Sequence, residues 1–295
     1  MYESFYGFTQ KPFQISPDAE FYFDAAPHRK VMAYLHYGLD RKEGFVLVTG
    51  DAGTGKTTLV NRMLAGLDGG ESVAAIQASF SQEAEDLLRT VASAFGISTK
   101  NIDRAELPFS IEIFLTSAAQ RGKRCLLVVD EAQNLSSGAL EALRMLSNFQ
   151  LGQYALLQSL LVGESGLRRA MQGAGLRQRV IAACHIGPLD ADETRQYIGH
   201  RLKFAGLQGG LEIQGGAYRG IYEASGGVAR RVNSLCDRIL LSGFLAESRL
   251  VTAADVNRVA AEVEQELSGL EAERDASDAS ADPEMNERSC IGDTQ

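Results

Sequence analysis

Apolar residues recur along the first two thirds of the chain in two alternating rhythms. Short apolar, β-branched runs occur at "GFVLVTG" (44–50), "SVAAIQAS" (72–79), "RCLLVVD" (124–130), "ALLQSLLVG" (155–163) and "VIAACHIGPL" (180–189). They read as strands of a buried parallel sheet. Between them, around 56–67, 83–95, 110–121, 137–149 and 165–173, apolar positions fall at helical spacing. The alternation predicts an α/β fold, a parallel five-stranded sheet sandwiched by helices. After Pro188 only the helical rhythm continues, through "DADETRQYIGHRLKFAG", "GGAYRGIYEASGG", "ARRVNSLCDRILLSGFLAE" and "TAADVNRVAAEVEQEL". The expected organisation is an N-terminal arm (1–43), an α/β core (44–189), an all-helical subdomain (190–266) and a tail (267–295).

Charge sharpens the last boundary. The segment from Glu262 onward carries eleven acidic and two basic side chains, which by itself accounts for the formal charge of −9 and leaves the body near neutral. The tail is rich in Asp, Ser and Ala and is expected to be disordered, a solubilising terminus more than a docking peptide. A near-neutral body gives no support for strong nonspecific DNA binding. No apolar run approaches the ~18 to 20 residues of a membrane span. The opening "MYESFYGFTQKPF" has neither a basic nor an apolar leader region, so a cytoplasmic protein is expected. Cys125, Cys184, Cys236 and Cys290 are too far apart for zinc spacing, and three of them sit in apolar runs that suit buried, reduced thiols.

The chemistry concentrates at "GDAGTGKTT", residues 50–58. Gly50, Gly55, Lys56 and Thr57 satisfy G-x-x-x-x-G-K-[ST], the Walker A phosphate loop, and the motif lies between a predicted strand and a predicted helix, as it must. Small residues let the backbone of Gly50, Asp51, Ala52, Gly53, Thr54 and Gly55 curl around an anion, with the helix N-terminus at Lys56, Thr57 and Thr58 facing the same point. Lys56 would reach the outer phosphates of ATP and the Thr57 hydroxyl would ligate Mg2+. "CLLVVDEAQNL" then places Asp130 and Glu131 at the end of a buried strand, the Walker B arrangement. Asp130 would hold the magnesium ion through water, and Glu131 would polarise the attacking water. Charge on the transferred phosphoryl group calls for further cations. Arg177 and Arg179, just before the fifth strand, and Arg230 with Arg231, at the start of a helix after two glycines, are the candidates; the glycines would let that helix start pack close to a nucleotide.

The set "GDAGTGKT", "LLVVDEAQNL", "LLQSLLVG", "LRQRVIAACHIGPLD" and "GGVARRVN", with the opening "FYGFTQKPFQISPDAEFYFDAAPHRKVMAYLHYGL", resembles the AAA+ ATPases of the general secretion pathway protein A type, over roughly residues 1–262. Within that group the chain looks like the short ATPases associated with exosortase and exopolysaccharide loci. The resemblance implies an AAA+ core with a helical lid and an ATP-dependent switch that forms homo-oligomers with nucleotide at subunit boundaries. It implies that Arg230 touches the γ-phosphate from the lid, that Arg177 or Arg179 is a finger offered to a neighbour's nucleotide, and that Phe21 to Phe23 and His28 border the adenine. Phe13, Phe21 and Phe23 could equally pack the N-terminal arm on the sheet. Glu164 departs from the pattern, since it stands where a γ-phosphate sensor is expected and a carboxylate repels phosphate.

The function expected on these grounds is ATP hydrolysis in service of an envelope, secretion or exopolysaccharide export system, through a membrane-associated partner that would recruit the chain to the inner membrane. The alternatives are a DNA-associated target-selection ATPase of the transposition type, a small-molecule kinase and a nucleotide-gated adaptor with negligible turnover. DNA is the disfavoured partner because the body lacks net positive charge.

Overall fold

The computed structural model describes residues 2–14, 21, 23–67, 71–78, 83–207 and 209–280. Tyr22, Ser79, Cys290 and the end of the predicted tail, 281–295, lie outside the described residues.

The five apolar runs form the five strands, β1 (Phe45–Gly50), β2 (Glu71–Gln77), β3 (Arg124–Asp130), β4 (Leu157–Gly163) and β5 (Val180–Ile186). All neighbours are parallel, in the order β2-β3-β4-β1-β5. The register sets Thr49 beside Gly163 and Gly50 beside Ile186, so the loop after β1 emerges at the same rim as the ends of β3 and β4.

Both faces of the sheet are covered over its inner strands, so β1, β3 and β4 are buried nearly throughout, whereas β5 at the edge alternates buried and exposed positions along Ala182–Ile186. On one face Phe45, Leu47, Leu127, Val129 and Leu161 meet α4 (Ala84–Ala94), α5 (Leu107–Gln120) and α6 (Ser137–Leu146). On the other, Val46, Val48, Val128, Leu160 and Val162 meet α2 (Ala26–Asp40) and α3 (Lys56–Leu64). Local signals set several helix ends: Pro108 stands in the first turn of α5, and the Ser136 hydroxyl caps α6 by accepting from Ala139 N at 3.1 Å. A short helix, α7 (Gly166–Gly173), and a 3-10 turn (Arg177–Arg179) lead into β5.

Beyond β5 the chain forms α8 (Ala191–Phe204), α9 (Gly215–Ser225), α10 (Ala229–Leu245) and α11 (Ala253–Ser280). Asp190 and Glu193 start α8 with reciprocal capping bonds of 2.8 and 3.1 Å. This subdomain is not purely helical: Glu212–Ile213 and Leu250–Val251 pair as two short parallel strands. A two-residue antiparallel pair, Gln150–Leu151 with Tyr154–Ala155, likewise precedes β4, which begins at Leu157. Runs of two residues carry no detectable period of their own.

Two further expectations are corrected. The acidic segment was expected to be disordered from 267, yet α11 continues to Ser280. Its Leu, Glu and Ala residues have high helix propensity, and a helix already started before them extends at little cost. The alternative that set Phe13, Phe21 and Phe23 against the sheet is the other, since Phe13 and Phe23 pack on the helical subdomain and Phe21 on Phe204. Tyr2 and Tyr6 of α1 (Tyr2–Tyr6), Phe8 and Phe13 share one core with Ile198, Val232, Leu235 and Ile239, and Phe23 packs against the same core. Tyr2 donates to Asp237, the Tyr6 hydroxyl lies 3.2 Å from the carbonyls of Leu240 and Ser248, and Thr9 N donates to Ala205 O at 2.9 Å.

Candidate nucleotide site

The loop from Gly50 to Gly55 turns back on itself at two left-handed glycines, Gly53 (φ +82°) and Gly55 (φ +92°). A Cβ on Gly50 would stand 2.5 Å from the carbonyl oxygen of Ile186, so the β1–β5 rim itself requires glycine there. Lys56 opens α3 and is 6 % exposed. Its ammonium donates to the carbonyls of Gly50 and Asp51, both at 2.9 Å, which uses two of its three protons and aims the group along the inside of the loop. Gly50 and Asp51 thus stand behind the loop. Ala52, Gly53, Thr54, Gly55, Lys56, Thr57 and Thr58 line the cleft itself.

Across from α3 the end of β3 supplies carboxylates. Asp130 Oδ2 accepts from the Thr57 hydroxyl at 2.6 Å, and its other oxygen accepts from Glu131 N at 2.9 Å. Hydroxyl and carboxylate side by side make a hard-oxygen pair that fits magnesium, with phosphate and water completing its shell. Glu131 adopts a left-handed conformation (φ 53°, ψ 34°) and lines the cleft. Its Oε2 accepts from Gln133 Nε2 at 2.6 Å.

The opposite wall comes from the helical subdomain and the arm. Arg230 lines the cleft, and its backbone N–H donates to Gly53 O at 3.1 Å, so the start of α10 rests on the phosphate loop. Of the preceding glycines, Gly227 is required by its packing on the segment that leaves the sheet. A Cβ on Gly227 would fall 1.9 Å from Leu189 O, and Leu189 N donates to Gly227 O at 3.0 Å. Gly227 therefore joins α10 to the segment leaving the sheet, and the start of α10 comes close to the loop at Gly53, where an added Cβ would stand 2.6 Å from Arg230 Cβ. Phe21, Phe23 and His28 line the cleft together with Gln14, Tyr197, Arg201 and Asn233. Arg201 is buried over the Phe21 ring at 4.3 Å and donates to Pro12 O at 2.7 Å, while Tyr197 donates to Asn233 at 2.8 Å. Burial raises the Tyr197 phenol, keeping it a neutral donor. The His28 ring nitrogens lie 3.3 Å from Phe23 O and 3.4 Å from Thr54 O, tying arm to loop.

Arg231, exposed on α10 beside Arg230, does not line the cleft, and neither do three other candidates. Arg179 donates to Ser147 Oγ at 2.8 Å and to the Asn148 side chain, whereas Arg177 is exposed on the same 3-10 turn. Glu164 is exposed too, and only its backbone N–H faces inward, donating to Gln133 Oε1 at 3.0 Å. Sequence reasoning missed Gln133, Tyr197, Arg201 and Asn233. Gln133 was visible beside Asp130 and Glu131 in "DEAQ", but the three lid residues carry no local signal, because their helices reach the cleft only through tertiary packing.

A phosphate loop after the first strand of a parallel sheet, carboxylates on the neighbouring rim and a helical subdomain closing over them define a P-loop nucleotide-binding ATPase with a lid. Family comparison agrees: residues 39–171 match the AAA domain family. The chain carries an AAA domain and is similar to the AAA ATPases of the general secretion pathway protein A type. It is 34% identical over 267 residues to General secretion pathway protein A of Aeromonas hydrophila, a match covering 89% of this chain and 48% of that protein, so the chain spans about half the length of this relative. Among solved structures, Cdc6p of Pyrobaculum aerophilum shares the fold (TM-score 0.65, 17% identity, 84% of this chain and 71% of that one). So does the Aeropyrum pernix ORC2 protein, solved as ADPNP-ADP complexes (TM-score 0.61, 14% identity, 84% and 72%). The Thermotoga maritima RuvB Holliday junction branch migration motor is a further match (TM-score 0.56, 19% identity, 85% and 72%). Among the described residues no helix is long and apolar enough to cross a membrane.

Proposed function

We propose that the chain is an ATP-driven assembly switch serving a membrane-associated secretion or exopolysaccharide export apparatus, which recruits it to the inner membrane. The observation that carries this reading is the direct seat of the lid on the phosphate loop, Arg230 N on Gly53 O, with the Arg230 side chain lining the same cleft. Any ligand that fills the loop is felt by the lid at once. The similarity to General secretion pathway protein A supports the choice of a secretion pathway.

In this reading the loop N–H groups and the remaining proton of Lys56 hold the outer phosphates, with Phe21, Phe23 and His28 beside the base. Thr57 and Asp130 would hold Mg2+, which when bound neutralises phosphate charge. Glu131 polarises the attacking water, and Arg230 draws the lid onto the γ-phosphate. Arg177, whose side chain stands exposed beside the docked Arg179, reaches the nucleotide of a neighbouring copy. ATP thus builds the oligomer and hydrolysis releases it.

The test is sedimentation of wild-type and Glu131→Gln protein with and without Mg-ATP, with phosphate release read on the same samples. The expected result is ATP-dependent oligomers in both, and turnover lowered by about 10²–10⁴-fold in the variant. Monomers at saturating ATP would overturn the switch. Salt-sensitive oligomers that form only on added duplex would move the assignment to a DNA-bound target-selection ATPase.

A further inference from the structure

Between the ends of β3 and β4 one side chain bridges two elements that neither binds nucleotide nor closes the core. The Gln133 amide nitrogen donates to Glu131 Oε2 at 2.6 Å, and its carbonyl oxygen accepts from Glu164 N at 3.0 Å. Both ends of the amide are used, so its orientation is set by its partners and not by rotamer preference alone. The backbone around it is shaped to admit it. A Cβ on Gly163 would stand 2.5 Å from Gln133 Oε1, so the last residue of β4 leaves room for this one amide. Glu131 is in turn held by its left-handed backbone and by its own N–H on Asp130.

We propose that Gln133 is a positioning residue that ties the water-polarising carboxylate to the backbone end of β4, taking over by a main-chain link what the exposed Glu164 side chain does not do. The link rests on the role proposed above for Glu131. It has two consequences. One carboxylate oxygen is engaged by the amide, which leaves the other to face water in a defined direction. A shift of the β4 end also moves the carboxylate through two hydrogen bonds, so a neighbouring subunit or lid motion that displaces β4 tunes hydrolysis without touching the nucleotide.

Single-turnover phosphate release and ATP affinity, measured side by side, test this in Gln133→Ala, Gly163→Ala, the double variant and Glu131→Gln. Gln133→Ala and Gly163→Ala are each expected to slow release by about 10–100-fold, the effect of misplacing a catalytic group by an ångström, with affinity nearly unchanged. Gly163→Ala acts by evicting the amide, so the double variant is expected to be no slower than either single one, a non-additivity that general destabilisation does not produce. Wild-type rates in Gln133→Ala, or losses that multiply in the double variant, would overturn the proposal. If Glu131→Gln itself keeps the wild-type rate, the base assignment fails instead, a result separable from the first because it does not depend on Gln133.

Discussion

Gly227 and the two arginines of the 3-10 turn show how a single position acquires its meaning from what lies across from it. Any side chain at residue 227 would meet Leu189 O at 1.9 Å and would hold a left-handed φ of +70°. Gly227→Ala is expected to lower stability by roughly 2–4 kcal/mol, combining backbone strain with a lost bond to Leu189 N, read as a fall in the urea midpoint. Arg179 is spent on Ser147 and Asn148, where it pins the end of α6 beside β5. Arg179→Ala should therefore cost stability, about 1–3 kcal/mol. Arg177→Ala should leave the melting temperature alone and lower turnover, with activity partly restored when the variant is mixed with Lys56→Ala protein, since each copy then supplies what the other lacks. Full activity of Arg177→Ala alone would remove it from the site. Glu164→Gln should change turnover by less than about twofold, because only the backbone of that residue points inward.

At the scale of elements, the first part of the arm behaves as part of the lid, while α2 covers the sheet. α1 and the chain up to Phe13 are sealed onto α8 and α10 by aromatic contacts and by the Tyr2 and Tyr6 hydroxyls, and burial raises both phenols above their ordinary value. Tyr6 is 2 % exposed, and Tyr6→Ala is expected to destabilise the lid by about 3–5 kcal/mol, seen as early loss of amide protection in α8 and α10 before the sheet opens. The same interface contains a pH response. His200 packs on Phe23 and Phe204, and burial, then the nearby Arg201 and Lys203, lower its basicity. The folded state disfavours the proton, so the unfolded chain binds it more readily. Stability is retained above the ordinary imidazole range, about pH 6.5, and lost as pH falls through it. The fall in melting temperature between about pH 7.5 and about pH 5.5 should be smaller in His200→Phe than in wild type.

The whole molecule is a sheet body and a lid body joined at Leu189 and meeting at the cleft. The sheet supplies Lys56, Thr57, Asp130 and Glu131; the lid and arm supply Arg230, Tyr197, Arg201, Asn233, Phe21 and Phe23. A nucleotide touching both walls couples their stabilities. At a concentration of 100 Kd it should stabilise the protein by about 2.7 kcal/mol, and hydrogen exchange should slow in the lid and in residues 2–14 as well as in the loop. Protection confined to the phosphate loop would mean that the lid does not read the ligand. At the far end, α11 is tied to α10 by Arg238 and Glu266 at 2.6 Å.

The sequence by itself determined the five strands, most of the helices, the phosphate loop and the Asp130–Glu131 pair, because each is written in a local code: an apolar period, a glycine spacing, a carboxylate at a strand's end. Buried-strand runs and helical stripes need only know that something apolar covers them. Tertiary structure alone decided what does the covering. The aromatic stripe of the arm has the same pattern whether it meets sheet or lid, and it met the lid. The glycines before Arg230 are equally permissive whether they face a nucleotide or Leu189. Arg177 and Arg179 differ only in that one turns toward Ser147, and Gln133 became part of the site because strand order places β4 between β3 and β1. These choices depend on contacts between residues far apart in the chain, and no window of sequence contains both partners.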